Sequence, residues 1–166
     1  HCQVLIVKGV GQYERLGGTI DDSAGEAFDK VAKMLNVGYP GGPNLEKRAM
    51  QGDSRAFDFP VPMRGRAGCD FSFSGLKTAV RVCIEKNAPL SEQMTSDICA
   101  SFQRAVVRQM QDRLTHAIAT FRTRYPNAQD LVVAGGVAAN KSVRAMIQEL
   151  ADKNGLIFSA PPIGLC

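Results

Sequence analysis

The chain predicts a mixed α/β fold, a mixed sheet with flanking helices, on three observations. It opens on a β-hairpin pattern, closes on a β-α-β pattern, and carries helical periodicity between them. Its 166 residues suit one ordinary domain, and 45% hydrophobic with 22% charged residues favours a packed core over disorder. No internal repeat or low-complexity tract interrupts the pattern.

Two β-type runs, Val4 to Val7 and Tyr13 to Ile20, flank Lys8-Gly9-Val10-Gly11-Gln12, a hairpin with a glycine-bearing turn. Ser23 with Glu26 three residues on forms a capping box. Ala24, Ala27, Phe28, Val31, Met34 and Leu35 then keep helical spacing until Gly38. Tyr39-Pro40-Gly41-Gly42-Pro43 reads as a rigid loop whose last proline starts a short helix from about Asn44 to Met50. Residues 53 to 68 mix prolines and glycines with aromatics and arginines, an irregular excursion. Cys69 to Phe73 predicts a short strand, and Ser74 to Lys86 a helix broken by Pro89.

The longest helix follows. Ile98, Phe102, Val106, Met110, Leu114, Ile118 and Phe121 recur nearly every four residues, so the apolar row wraps around a broadly buried helix. Arg104, Arg108 and Arg122 share the opposite face, and Tyr125-Pro126-Asn127 ends it. Leu131 to Ala134 is a continuous apolar strand of the parallel kind. Gly135 to Asn140 turns into a helix with Val143, Met146, Ile147 and Leu150 on one face, and Leu156 to Ser159 is the last strand.

Composition excludes several classes. The longest apolar-plus-glycine run, Leu131 to Ala139, falls far short of a membrane span. A net charge of +4 tolerates a phosphate-rich partner without demanding one. Five scattered cysteines (Cys2, Cys69, Cys83, Cys99, Cys166), with no C-x-x-C pair, argue against a disulfide framework or zinc site. They predict reduced structural thiols in a cytoplasmic protein. Only His1 and His116 exist, so no paired-histidine metal motif is possible, and His116 reads as packed. Ser72 and Ser74 lie near Gly75 but lack G-x-S-x-G and a histidine partner, which disfavours serine catalysis.

Four features could carry function. The strand-Gly-Gly-turn-helix at Leu131 to Asn140 lets backbone approach a ligand at a helix start, or is simply a βα turn capped by Asn140. It matches neither G-x-G-x-x-G nor G-x-x-x-x-G-K-[ST]. Asp29, off the apolar face, is either a ligand-facing carboxylate or an i,i+4 partner of Lys33. Tyr39 to Pro43 is a helix connector or a surface for a flat ring. Arg64, Arg66, Lys77 and Arg81 bracket Phe71 and Phe73, which suits single-stranded nucleic acid or a basic surface over buried rings.

Taken together, four blocks resemble the TsaD (Gcp/YgjD) family in order and spacing, in its bacterial form. They are Ile20-Asp21-Asp22-Ser23-Ala24-Gly25-Glu26-Ala27-Phe28-Asp29-Lys30; Tyr39-Pro40-Gly41-Gly42-Pro43; Asp70-Phe71-Ser72-Phe73-Ser74-Gly75-Leu76-Lys77-Thr78; and Val133-Ala134-Gly135-Gly136-Val137-Ala138-Ala139-Asn140. The resemblance implies an actin/Hsp70/sugar-kinase-like (ASKHA) fold with an adenylate between two lobes. The implied activity is transfer of threonylcarbamoyl from threonylcarbamoyl-AMP to N6 of adenosine 37 in tRNAs reading codons that begin with A. It further implies one divalent metal ion, usually iron, and TsaB- and TsaE-like partners. Carried over by motif, Asp29 would bond the ribose hydroxyls, Gly42 would lie against the adenosine, and Asn140 would contact the nucleoside. Glu46, one turn beyond Gly42, is a candidate second ribose ligand.

Departures from the family pattern bear on the metal. The resemblance places a His-x-x-x-His pair upstream of His1 and a Thr-Asp-Asn-Gly stretch after Cys166, together the metal ligands. The chain therefore reads as a central-to-C-terminal fragment, residues 1–166, that holds the nucleoside side, lacks metal ligands of its own, and is expected to be inactive alone. Two further classes remain open: another ASKHA transferase, such as an O-carbamoyltransferase or kinase, and a non-catalytic nucleotide-binding paralogue.

Overall fold

The glycine at the tip of the first hairpin sets the start of the fold. Gly11 has φ +73°, a left-handed conformation that glycine adopts without steric cost. It lets β1 (Gln3–Gly9) turn straight into β2 (Gln12–Gly18), antiparallel, with Ile6 opposite Glu14 and Val7 opposite Tyr13. The computed structural model describes residues 1–162.

β2 leads to α1 (Ala24–Met34) through the expected capping box: the Ser23 hydroxyl accepts from the Glu26 amide, and the Glu26 carboxylate accepts from the Ser23 amide. Ala24, Ala27, Phe28 and Val31 are its buried stripe. Then α2 (Gly41–Ala49) begins three residues earlier than the expected Asn44. Pro43 falls inside its first turn rather than at its first position. The first four amides of a helix lack intrahelical acceptors, so a proline there removes no bond.

The strand expected over Cys69 to Phe73 does not form. Among the described residues its only ladder pairing is one parallel bridge between Thr19 and Phe71. Side chains occupy the remaining positions: Gln109 donates to the Ser72 carbonyl at 2.7 Å and accepts from the Ser72 amide at 3.2 Å, while Asp70 accepts from the Gly18 amide at 2.9 Å. Among the described residues the strands form two separate two-stranded sheets, one antiparallel and one parallel, rather than the single mixed sheet expected. Gly17 packs so tightly here that a Cβ would lie 2.3 Å from the Cys69 carbonyl oxygen.

α3 (Ser74–Asn87) precedes α4 (Glu92–Arg124), which spans about 50 Å at 1.5 Å per residue. Ile98, Phe102, Val106, Met110 and Ile118 are all buried, as the wrapped periodicity predicts, and Phe102 meets Phe28 edge-on at 5.1 Å. The excursion at 53–68 is irregular but tied down along α4. Asp97 accepts from the Asp53 amide, Ser101 from the Phe57 amide, and the fully buried Arg113 donates to the Gly68 carbonyl at 3.1 Å. Arg113 also pairs with Asp112.

The last unit is β3 (Asp130–Val132), a short 3-10 turn (Gly136–Ala139), α5 (Lys141–Lys153) and β4 (Ile157–Ser159). β3 and β4 are parallel, as expected, with Leu131 beside Phe158. Val132 is exposed, so β3 is not a sheet-interior strand among the described residues. Cys2, Cys69, Cys83 and Cys99 are free thiols; burial raises the pKa of each, that of Cys99 to about 12. Cys166 lies outside the described residues. No helix among those residues is long and apolar enough to cross a membrane.

Candidate functional site

Asp29 and Glu46 sit at the starts of α2 and α5, where free amides and the helix dipole favour negative charge. Asp29, on the outer face of α1, accepts the Gly41 amide of α2 at 3.0 Å through one carboxylate oxygen. The i,i+4 partnership with Lys33 is replaced by this bond, because the α1–α2 turn brings the free start of α2 against Asp29. Gly41 makes the approach possible: a Cβ there would lie 2.6 Å from both Cα and Oδ1 of Asp29. Gly42, its neighbour, faces open space, with nothing within 4 Å of a built Cβ.

Glu46 lies one turn beyond Gly42 on α2, and its Oε1 accepts the Lys141 amide at the start of α5 at 2.6 Å. Asn140 caps the same helix. Its Oδ1 accepts from the Val143 amide at 3.0 Å, and its Nδ2 donates to Gln103 of α4 at 2.8 Å. Asp29, Gly42, Glu46 and Asn140 are thus linked in one contiguous path, from α1 through α2 to the start of α5. Gly135, with φ +93°, and Gly136 precede it, and a Cβ on either would meet nothing within 4 Å. Arg144 fastens this corner, donating to the Ala138 carbonyl at 3.0 Å and the Pro161 carbonyl at 2.7 Å.

Asp21 joins the first and third sequence blocks. Its carboxylate accepts from the hydroxyls of Ser72 and Ser74 at 2.5 and 2.8 Å, and from the amides of Phe73 and Ser74. Burial works against the charge, but these donors outweigh it, and the Asp21 carboxyl sits below the ordinary aspartate range. The two serines are therefore anchors of the α3 start. Asp22 pairs with Lys77 and with Lys30, and their hydrogen bonds hold its carboxyl low as well.

Of the two basic-aromatic readings, the structure bears out the one with buried rings. Phe71 and Phe73 are buried and stacked on each other at 6.3 Å, so neither offers a face to a base. Lys77 is taken by Asp22. Arg64 and Arg66 remain exposed on the excursion. His116 is half-buried, with Nδ1 2.8 Å from the Asp112 carbonyl. Among the described residues, no group of three or more His, Cys, Asp or Glu side chains converges to hold a metal ion. These side chains do not fit the metal that the resemblance implies.

Asp21, Gln103, Gln109 and Arg113 were not singled out in the sequence. Asp21 alone carried a signal, since it stands inside the first matching block and the serines it binds stand inside the third.

The family model described as "TsaD: tRNA N6-adenosine threonylcarbamoyltransferase" matches residues 1–166. Proteins named tRNA N6-adenosine threonylcarbamoyltransferase from Rhizobium etli (strain CIAT 652) and Rhizobium johnstonii are each 55% identical over 169 residues, covering 100% of this chain and 46% of the relative. The protein of that name from Brucella abortus (strain S19) is 52% identical over 168 residues, with 47% of its length covered. The chain spans about half the length of these curated relatives. With the whole chain matched, the chain belongs to the TsaD family.

Proposed function

We propose that the protein carrying this chain transfers a threonylcarbamoyl group from threonylcarbamoyl-AMP to N6 of adenosine 37 in tRNAs that read codons beginning with A. The observation that carries this reading is the path Asp29–Gly41–Gly42–Glu46–Lys141–Asn140, which aligns two carboxylates, an open glycine and a capping amide. Asp29 commits one oxygen to Gly41 and keeps the other for the ribose hydroxyls. Gly42 lets the adenine lie close to backbone. Asn140 retains one N–H and one lone pair beyond its two bonds, enough to contact the nucleoside. Glu46 would receive a second ribose hydroxyl through the oxygen that Lys141 does not use.

These residues would hold the adenylate rigidly while the acyl carbon meets the tRNA amine, a contribution of orientation. The new C–N bond forms as the acyl carbon's bond to the phosphate oxygen breaks, AMP leaves, and the attacking amine gives up one proton to solvent. In this reading the fold is the ASKHA type, a divalent metal, iron in the family pattern, would be held by ligands other than these side chains, and TsaB- and TsaE-like proteins are partners. The test is mass spectrometry of tRNA incubated with the full-length protein, its partners and threonylcarbamoyl-AMP. The modified nucleoside should form, and Asp29→Ala should suppress it. Product formation unaffected by Asp29→Ala would overturn the assignment.

A further inference from the structure

Asn140 can present its amide in two orientations that differ by exchange of oxygen and nitrogen. The helix cap requires the oxygen toward Val143, and the structure contains a second lock on the same choice. Gln103, on α4, accepts from Asn140 Nδ2 at 2.8 Å and donates its own amide to Ser142 Oγ at 3.0 Å. A side chain from one helix therefore bridges two residues at the start of another and fixes which atom of Asn140 points where. Asn140 is buried, at 8% exposure, and keeps one N–H and one lone pair beyond its two bonds.

We infer that Gln103 is a positioning residue for adenylate binding, acting through Asn140; this rests on the nucleoside-site reading above. Gln103 makes no contact with the ligand in this account. Its acceptor oxygen fixes the Asn140 amide, and that function needs an acceptor at Oε1 rather than an amide as such. A glutamate would keep it: its carboxylate accepts from Asn140 Nδ2, takes the Ser142 hydroxyl as a donor, and sits beside a helix start that favours negative charge. A leucine would remove both bonds and free the Asn140 amide to turn.

The experiment titrates AMP into the full-length protein by calorimetry. Gln103→Leu should weaken AMP binding about five- to ten-fold, the scale of one lost hydrogen bond, and Gln103→Glu should restore it to within about two-fold. In an Asn140→Ala background, Gln103→Leu should cause no further loss, because the two act through one contact. If the leucine variant does not accumulate, Gln103→Met carries the same expectation. A merely structural Gln103 would lower the melting temperature and leave AMP affinity unchanged. Parent-like affinity in Gln103→Leu, with affinity lost in Asn140→Ala, overturns this inference alone. Parent-like affinity in Asn140→Ala overturns it together with the nucleoside-site reading.

Discussion

Glu46 and Lys141, 95 positions apart in sequence, are joined by a 2.6 Å hydrogen bond from the Lys141 amide to the Glu46 carboxylate. The bond fastens α2 to the first residue of α5 and places negative charge at the positive end of that helix. Glu46→Ala should lower the unfolding free energy by about 0.5–2 kcal/mol, the range for losing a helix-start acceptor. Glu46→Gln keeps an acceptor oxygen and should lose only the charge contribution, about 0.3–1 kcal/mol. Urea titration ranks the two; equal midpoints for Glu46→Ala and the parent would contradict the cap.

The two adjacent glycines should separate under substitution. Gly41→Ala forces a Cβ to within 2.6 Å of Asp29 Cα and should cost about 1–3 kcal/mol of stability. Gly42→Ala meets open space, so the melting temperature should hold or rise, while AMP affinity falls. A stable Gly41→Ala would mean that α1 and α2 are less closely packed than described.

Asp21 predicts an acid-sensitive contact. Its carboxyl is depressed in the folded chain, so the stability it contributes is present above the unfolded value near about 3.9. That stability is lost as pH falls through the lower folded value. Asp21→Asn should therefore be least stable relative to the parent at neutral pH, and the gap should shrink below about pH 3.9. A gap that stays constant from neutral pH to below the carboxylate range would show that the charge is not what matters.

Arg64 and Arg66 are exposed, whereas Lys77 is engaged by Asp22. Neutralising both arginines should weaken tRNA binding and flatten its salt dependence by up to about 0.9 in the log-log slope per phosphate contact. Lys77→Ala should act on stability instead. An unchanged slope in the double arginine variant would remove the excursion from the tRNA surface.

What could be read from sequence was mostly local. The Ser23–Glu26 box, the Gly11 turn and the Asn140 cap are fixed by neighbours a few residues away, and each stands where its spacing placed it. Contacts between distant segments were illegible. Cys69 to Phe73 has strand-like composition, yet Gln109 and Asp70 satisfy its backbone and that of its neighbour from side chains. Asp29 sits four residues from Lys33, and nothing in that spacing reveals that a helix start 12 residues away supplies a better donor. Nothing in the helical spacing marks Arg113 as the residue that is buried beneath the excursion.

The central claim is that Asp29 and Asn140 hold a nucleoside at the corner of α1, α2 and α5. Calorimetric titration of the full-length protein with AMP tests it most directly. Asp29→Ala and Asn140→Ala should each weaken binding by about 1–3 kcal/mol, the size of a hydrogen bond lost in a partly buried site. AMP affinity equal to the parent's in both variants would contradict the claim, leaving Asp29 and Asn140 as helix caps alone.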